Sequence, residues 1–227
     1  MKQQDGFLCM KEKDRGKERK YLTDFHPDVV QLTERYQYEA QRFDAGNGNK
    51  AFSFFLKNEE WKDCLYDREG VTFIVLDSLS NNEKKIVAYY TISMGAIPYT
   101  DRWLIPEEER EDLINQYDEK ECGISAVEIK MFAVAKEYQD IFFVFEGKEQ
   151  PVSAWILHEV LNRIQRISVK EISAKAVFLN AVPEAEKFYL NNGFDYVQPG
   201  MHAFYTNDSE YRTMYLPLTE LRIHYDK

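Results

Sequence analysis

Hydrophobic and polar positions follow two rhythms along this chain. After His26-Pro27, the apolar positions Val29, Leu32, Tyr36 and Ala40 fall at intervals of three and four. That spacing predicts a helix, and proline is tolerated in a first helical turn. The run Asp44-Ala45-Gly46-Asn47-Gly48-Asn49 ends it, because glycine and asparagine supply turn conformations. A second helix is expected over about residues 50–66, carrying Phe52, Phe55, Leu56 and Leu65. The rhythm then changes. VTFIVL at 71–76 and IVAYYTI at 86–92 are β-branched and aromatic runs, and with a turn at Asn81-Asn82 they predict a hairpin. The acidic stretch over 98–122, with IPEEEREDL near its middle, reads as a surface loop holding a short helix.

A third strand is expected over about 124–134. A helix follows from Ser153 as N-cap, with Ile156, Leu157, Val160, Leu161, Ile164 and Ile167 on one face. Then come a strand over 174–179 and a helix over 183–191 closed by Gly193. The last strands are expected at 195–205, interrupted at Pro199-Gly200, and at 214–218. The order α-α-β-β-β-α-β-α-β-β gives an α/β (α+β) class with a mixed sheet and helices packed on it. It fits neither a βα barrel nor an all-β sandwich.

Composition narrows the function. The 227 residues suffice for one large domain or one domain with additions. Residues 1–20 are mostly charged and polar and read as a tail or arm, leaving 21–227 as the domain. The formal net charge of −10 argues against a surface built for polyanions, so nucleic acid is not an expected partner. A local basic groove could still sit inside that total. No apolar run exceeds five residues, as at Ile141–Phe145, far too short to span a membrane, and no signal peptide is visible. Cys9, Cys64 and Cys122 form neither a metal spacing nor an even disulfide set, which points to a reducing, cytoplasmic setting. The four histidines are scattered, and no metal is expected.

Three segments stand out together: Val127–Val134 followed by Tyr138-Gln139, the helix opening at Ser153, and the FYxxxGF pattern of Phe188-Tyr189 and Gly193-Phe194. In this order they resemble the GNAT superfamily of acetyl-CoA-dependent N-acetyltransferases. FDAGN at 43–47, with Phe55-Leu56 beyond it, resembles the opening of the toxin-type branch. The resemblance covers roughly 43–218 and implies a mostly antiparallel central sheet flanked by helices.

Acetyl transfer to an amine needs a held thioester, a deprotonated amine and a proton donor for the departing thiolate. The resemblance assigns the thioester to a bulged strand, here Glu128–Val134, whose backbone at Phe132, Ala133 and Val134 would face the cofactor. Glu128 would be the general base, directly or through water, because a mid-strand carboxylate gains basicity on burial. The bland alternative is a solvent-side or salt-bridging Glu128, since Lys130 shares its face by period two. Tyr189 would be the general acid; otherwise it is a packing residue beside Phe188. Asn180 at the next strand's end would face the pantetheine arm, or simply cap the strand.

The pyrophosphate loop departs from the family pattern. Gln139 is in place, but neither glycine follows, and the helix starts about eight residues late. One reading makes 141–145 an extra strand and puts the diphosphate on the amides of Val152, Ser153, Ala154 and Trp155. The other makes the chain a degenerate fold serving as an acyl-CoA sensor or protein-interaction module. The enzyme reading is taken first, with acetyl-CoA as co-substrate. The acceptor is a small-molecule amine or a protein lysine or N-terminus, and a homodimer is left open. Aminoacyl-tRNA follows from the toxin-type resemblance, against the charge.

Overall fold

The computed structural model describes residues 19–22, 25, 27–46, 50–78, 84–100, 121–145, 147–198, 201 and 211–218. Most of the expected tail, the Asn81-Asn82 turn, the IPEEEREDL stretch and the Pro199-Gly200 interruption lie outside them. Lys20, inside the expected tail, opens strand β1 (Lys20–Leu22).

The main sheet contains β2 (Pro27–Gln31), β3 (Val71–Ser78), β4 (Lys84–Thr100), β5 (Glu121–Val134), β8 (Ala176–Ala181), β9 (Asp195–Tyr196) and β10 (Arg212–Pro217). Their order is β2-β3-β4-β5-β8-β10-β9. Every pair is antiparallel except β5 with β8. A parallel pair needs a long crossover. Here the crossover holds β6 (Ile141–Phe145), β7 (Lys148–Pro151) and helix α4 (Val152–Ile167). The extra strand expected at 141–145 is present. It pairs with β7 and, in parallel, with β1, as a separate three-stranded sheet.

Alternation in the strands sends residues to two faces. On one face Tyr89 stacks on Phe55 and meets Phe43 edge-on, and its hydroxyl donates to the Phe52 carbonyl at 2.8 Å. This face carries α1 (Gln37–Gln41), α2 (Lys50–Lys57) and α3 (Glu60–Tyr66). On the other face Tyr90, Ile92 and Ile129 pack with Leu157, Val160, Leu161 and Ile164 of α4. Helix α5 (Pro183–Asn191) joins them through Tyr189. Leu157 is fully buried. Leu157→Ala should therefore cost about 2–5 kcal/mol and lower the urea midpoint.

Three local expectations change. The helix expected from Pro27 is a strand first: Val29 faces Val75 and Val30 faces Ile74, and α1 begins only at Gln37. β-branched Val29-Val30 suits a strand, and the sheet edge offered it partners. The helix expected over 50–66 breaks at Glu59, which is left-handed (φ 64°). Strands β4 and β5 run on through Thr100 and from Glu121, into the stretch read as loop, with Pro98 facing Gly123. No described helix is long and apolar enough to cross a membrane.

Candidate active site

The site begins as a register fault. Thr91 faces Met131, but Ile92 faces Ile129, so Lys130 is an extra residue in β5. Such a bulge bends its strand. On the other side, β5 pairs with β8 only over Ala126–Glu128 and Ala176–Phe178. Beyond Glu128, β8 continues on β10 alone, with Leu179 facing Met214 and Asn180 facing Thr213. The two parallel strands therefore part company at Glu128, and the β8 side of Ile129–Val134 has no strand partner among the described residues.

Aromatic side chains from α5 stand at this parting. Phe188 stacks on Phe132 with ring centres 6.0 Å apart, and Tyr189 meets Phe132 at 6.5 Å. Tyr189 also touches Phe194 edge-on at 5.6 Å. It is 7% exposed, and burial alone pushes its phenol well above the ordinary tyrosine range. Gly193, at φ 89°, supplies the left-handed residue that ends α5 and turns the chain back to Phe194. Helix α5 starts with Pro183 in its first turn, where no amide hydrogen is needed.

Glu128 is half-buried at the fork. Burial raises its pKa above the usual carboxylate range, while the Lys130 charge and a hydrogen bond from Ser93 Oγ to Oε2 at 3.3 Å pull the other way. Lys130 itself bonds Glu69 at 3.3 Å, so the salt bridge considered for Glu128 goes elsewhere. Ser93 was not singled out from the sequence, and neither was Gly95. A Cβ at Gly95 would lie 2.9 Å from the Phe178 ring and 4.0 Å from Glu128 Cβ. Phe178 thus sits beside Glu128 only because position 95 has no side chain. A glycine inside a strand run was the available signal.

The other named residues are placed as follows. Ala133 and Val134 are buried and Phe132 half-buried at the end of β5. Gln139 Nε2 donates to the carbonyls of Ala45 and Val134, both at 2.9 Å. Its two amide hydrogens are thereby committed. Gln139 ties the FDAG loop to the end of β5, and Lys136 N–H bonds the Asp44 carbonyl beside it. Tyr138 donates to Asp77 at 3.5 Å, and burial with the Asp77 charge pushes its pKa to about 12. Asn180 Oδ1 accepts from Thr213 at 2.7 Å.

Helix α4 begins at Val152, one residue before the expected start, and its N-cap is Pro151 rather than Ser153. No side chain caps it. Its first amides, at Val152, Ser153 and Ala154, precede the hydrogen-bonded ladder. Trp155 packs edge-on against Phe143 of β6 and Phe25. The glycine-poor connection is therefore a hairpin whose Phe143 packs on Trp155 in the first turn of α4. Arg19 and Glu149 pair across its exposed side.

No family model matches the sequence, and no curated protein does. Solved structures do. A tyrosine-to-phenylalanine mutant of KacT is 17% identical, covers 85% of this chain and 95% of its own, and aligns with a TM-score of 0.57. A mutant AtaT toxin bound to the C-terminus of the antitoxin AtaR and acetyl-CoA is 16% identical, with 85% and 94% coverage and a TM-score of 0.57. AtaT complexed with acetyl-methionyl-tRNAfMet is 17% identical, with 86% and 96% coverage and a TM-score of 0.57. The chain has the GNAT-like fold, a mixed, mostly antiparallel sheet with five α-helices among the described residues.

Proposed function

We propose that this protein is an acetyl-CoA-dependent N-acetyltransferase acting on a primary amine by direct transfer. The observation that carries the proposal is the fork between β5 and β8, with Tyr189 on one side and Glu128 at its root. The likeness in fold to a toxin bound to acetyl-CoA supports the same reading.

In this reading the backbone of Phe132, Ala133 and Val134 binds the pantetheine arm, as a strand without a partner can. Amide hydrogens there oppose charge building on the acetyl oxygen. Glu128 takes a proton from the incoming ammonium, directly or through water, and frees the nitrogen to bond the acetyl carbon. As the carbon–sulfur bond breaks, Tyr189 gives its phenolic proton to the sulfur, and the second proton shed by the nitrogen as it becomes an amide restores the phenol through water. Asn180 faces the arm from β8, and Gln139 contributes by holding the end of β5 in place. The diphosphate is assigned to the uncapped amides at Val152, Ser153 and Ala154, where the helix dipole favours an anion, and Trp155, whose own amide enters the helical ladder, supports that turn by packing on Phe143.

A second reading has its own support. The hairpin β6–β7 and strand β1 stand where the family has a glycine loop, and this favours an acyl-CoA sensor or interaction module. Calorimetry of the full chain with acetyl-CoA separates the readings from a fold without ligand. Binding is expected, and no heat at millimolar acetyl-CoA would sink the enzyme. An amine panel of polyamines, aminoglycosides, lysine peptides and aminoacyl-tRNA then separates transferase from sensor. The last belongs in the panel because AtaT is known with acetyl-methionyl-tRNAfMet.

A further inference from the structure

Away from the fork, a cavity of about 600 Å³ lies between α1, the start of β4 and the residues just after β5. Its size falls within the usual range for small-molecule sites. Four cations line it, Arg35, Arg42, Lys84 and Lys85, against the carboxylates of Glu39, Asp44 and Glu137. Lys85 is paired with Glu137, and Asp44 accepts from the Gly46 amide. In a chain with ten excess negative charges, four cations here outnumber the three carboxylates of one concavity, and three of the four, Arg35, Arg42 and Lys84, have no ion-pair partner among the described residues. Like charges gathered this way repel unless an anion joins them.

The rings in the cavity add a second kind of contact. Arg35 and Lys84 both lie over Tyr36, at 5.5 and 5.9 Å from its centre. Arg42 lies 5.3 Å over Tyr38 and donates to its hydroxyl at 3.2 Å. Tyr38 is 66% exposed, so its ring is open to a planar ligand as well as to arginine. Glu39 adds a third. Its Oε2 is buried and accepts no hydrogen bond among the described residues. An unmet buried acceptor calls for a donor.

We propose that this cavity is a nucleotide site. Phosphate groups sit on Arg35, Arg42 and Lys84, a base stacks on Tyr38, and the amino edge of the base donates to Glu39. The proposal does not depend on acetyl transfer. The nucleotide is either the 3′-phosphorylated adenosine end of acetyl-CoA or a separate nucleotide, which share this chemistry.

The test titrates the full chain with adenosine 3′,5′-bisphosphate by calorimetry. Arg35→Gln/Arg42→Gln is expected to weaken binding at least ~10-fold, the loss of charged partners for phosphate. Tyr38→Ala is expected to weaken the nucleotide but not pyrophosphate. The purine analogue lacking the 6-amino group should bind more weakly than adenosine, and Glu39→Met should erase that difference. These side chains lie outside the transfer fork, and circular dichroism checks that the variants fold. If the arginine pair also weakens acetyl-CoA, the co-substrate's own nucleotide occupies the cavity; if acetyl-CoA is unaffected, a separate nucleotide does. Absence of bisphosphate binding at millimolar concentration, or binding indifferent to the arginine pair, overturns the site. Failure of the transferase reading would show separately, as no acetylation of any amine with bisphosphate binding intact.

Discussion

Tyr189→Phe should cut acetyl transfer by about 10²–10⁴-fold, the range for losing a positioned proton donor. Acetyl-CoA binding, followed by calorimetry, should barely change. The reason lies in what the substitution removes. The ring of Tyr189 is enclosed by Phe132, Phe188 and Phe194, and phenylalanine keeps all of those contacts. Only the hydroxyl is lost. Burial raises its pKa, so the phenol stays protonated across any ordinary assay and is available as an acid throughout. kcat and kcat/KM should therefore fall together, the mark of an interaction made only in the transition state. Tyr189→Ala would be a poor substitute, because emptying the ring's place costs about 3–5 kcal/mol by itself. Unchanged turnover in the phenylalanine variant would return Tyr189 to a packing role.

Much of this architecture could be read from periodicity, because single elements carry their own signals. IFFVF at 141–145 is too short for a helix and is a strand. The apolar face of α4 repeats every three to four residues and is buried as that spacing demands. Gly193 ends α5 with the positive φ that a helix C-terminus favours. What misled was ambiguity over a few residues. Val29, Leu32, Tyr36 and Ala40 keep helical spacing although the first belongs to a strand, the second lies just past its end and still bonds Thr72 of β3, the third ends a 3-10 turn and only the last belongs to α1. Periodicity cannot decide so short a stretch; the edge of β3 did.

The site was less legible, because its geometry comes from pairings distant in sequence. The extra residue at Lys130 is a bulge only with respect to β4, and the fork exists only because β8 leaves β5 after Phe178. Neither is visible in the strand itself. Glu128 and Tyr189 could be named from motif positions, but their environments could not. Ser93 reaches Glu128 from β4, and Phe132 reaches Tyr189 from β5. Gln139 shows the same limit in reverse. Its motif position suggests a ligand contact, while its amide hydrogens bind the chain's own carbonyls. The basic cavity was hidden by the total charge, since Arg35, Arg42 and Lys84 are not a run in sequence.

Glu128→Gln should separate chemistry from stability, with opposite signs. As base, Glu128 acts in its ionised form, so kcat/KM should rise with pH through its raised pKa. The glutamine variant should lose that limb and about 10²–10⁴ in rate. Stability runs the other way. The unfolded carboxyl titrates near ~4.3, and the folded one titrates higher because burial outweighs Lys130 and Ser93. The folded state therefore holds the proton more tightly. The stability this contributes is complete below the unfolded pKa and is lost as pH rises through the folded one. At neutral pH the fold bears the whole cost of a half-buried charge, which glutamine removes while keeping the shape. The variant should melt above the parent at pH 7, and the gap should close as pH falls towards 4. Slower and more stable together identify a carboxylate held against its own burial for the sake of the reaction. Equal activity with an unchanged pH profile would take Glu128 out of the mechanism. A lower melting point at pH 7 would mean that Ser93 and Lys130 more than offset burial at this position.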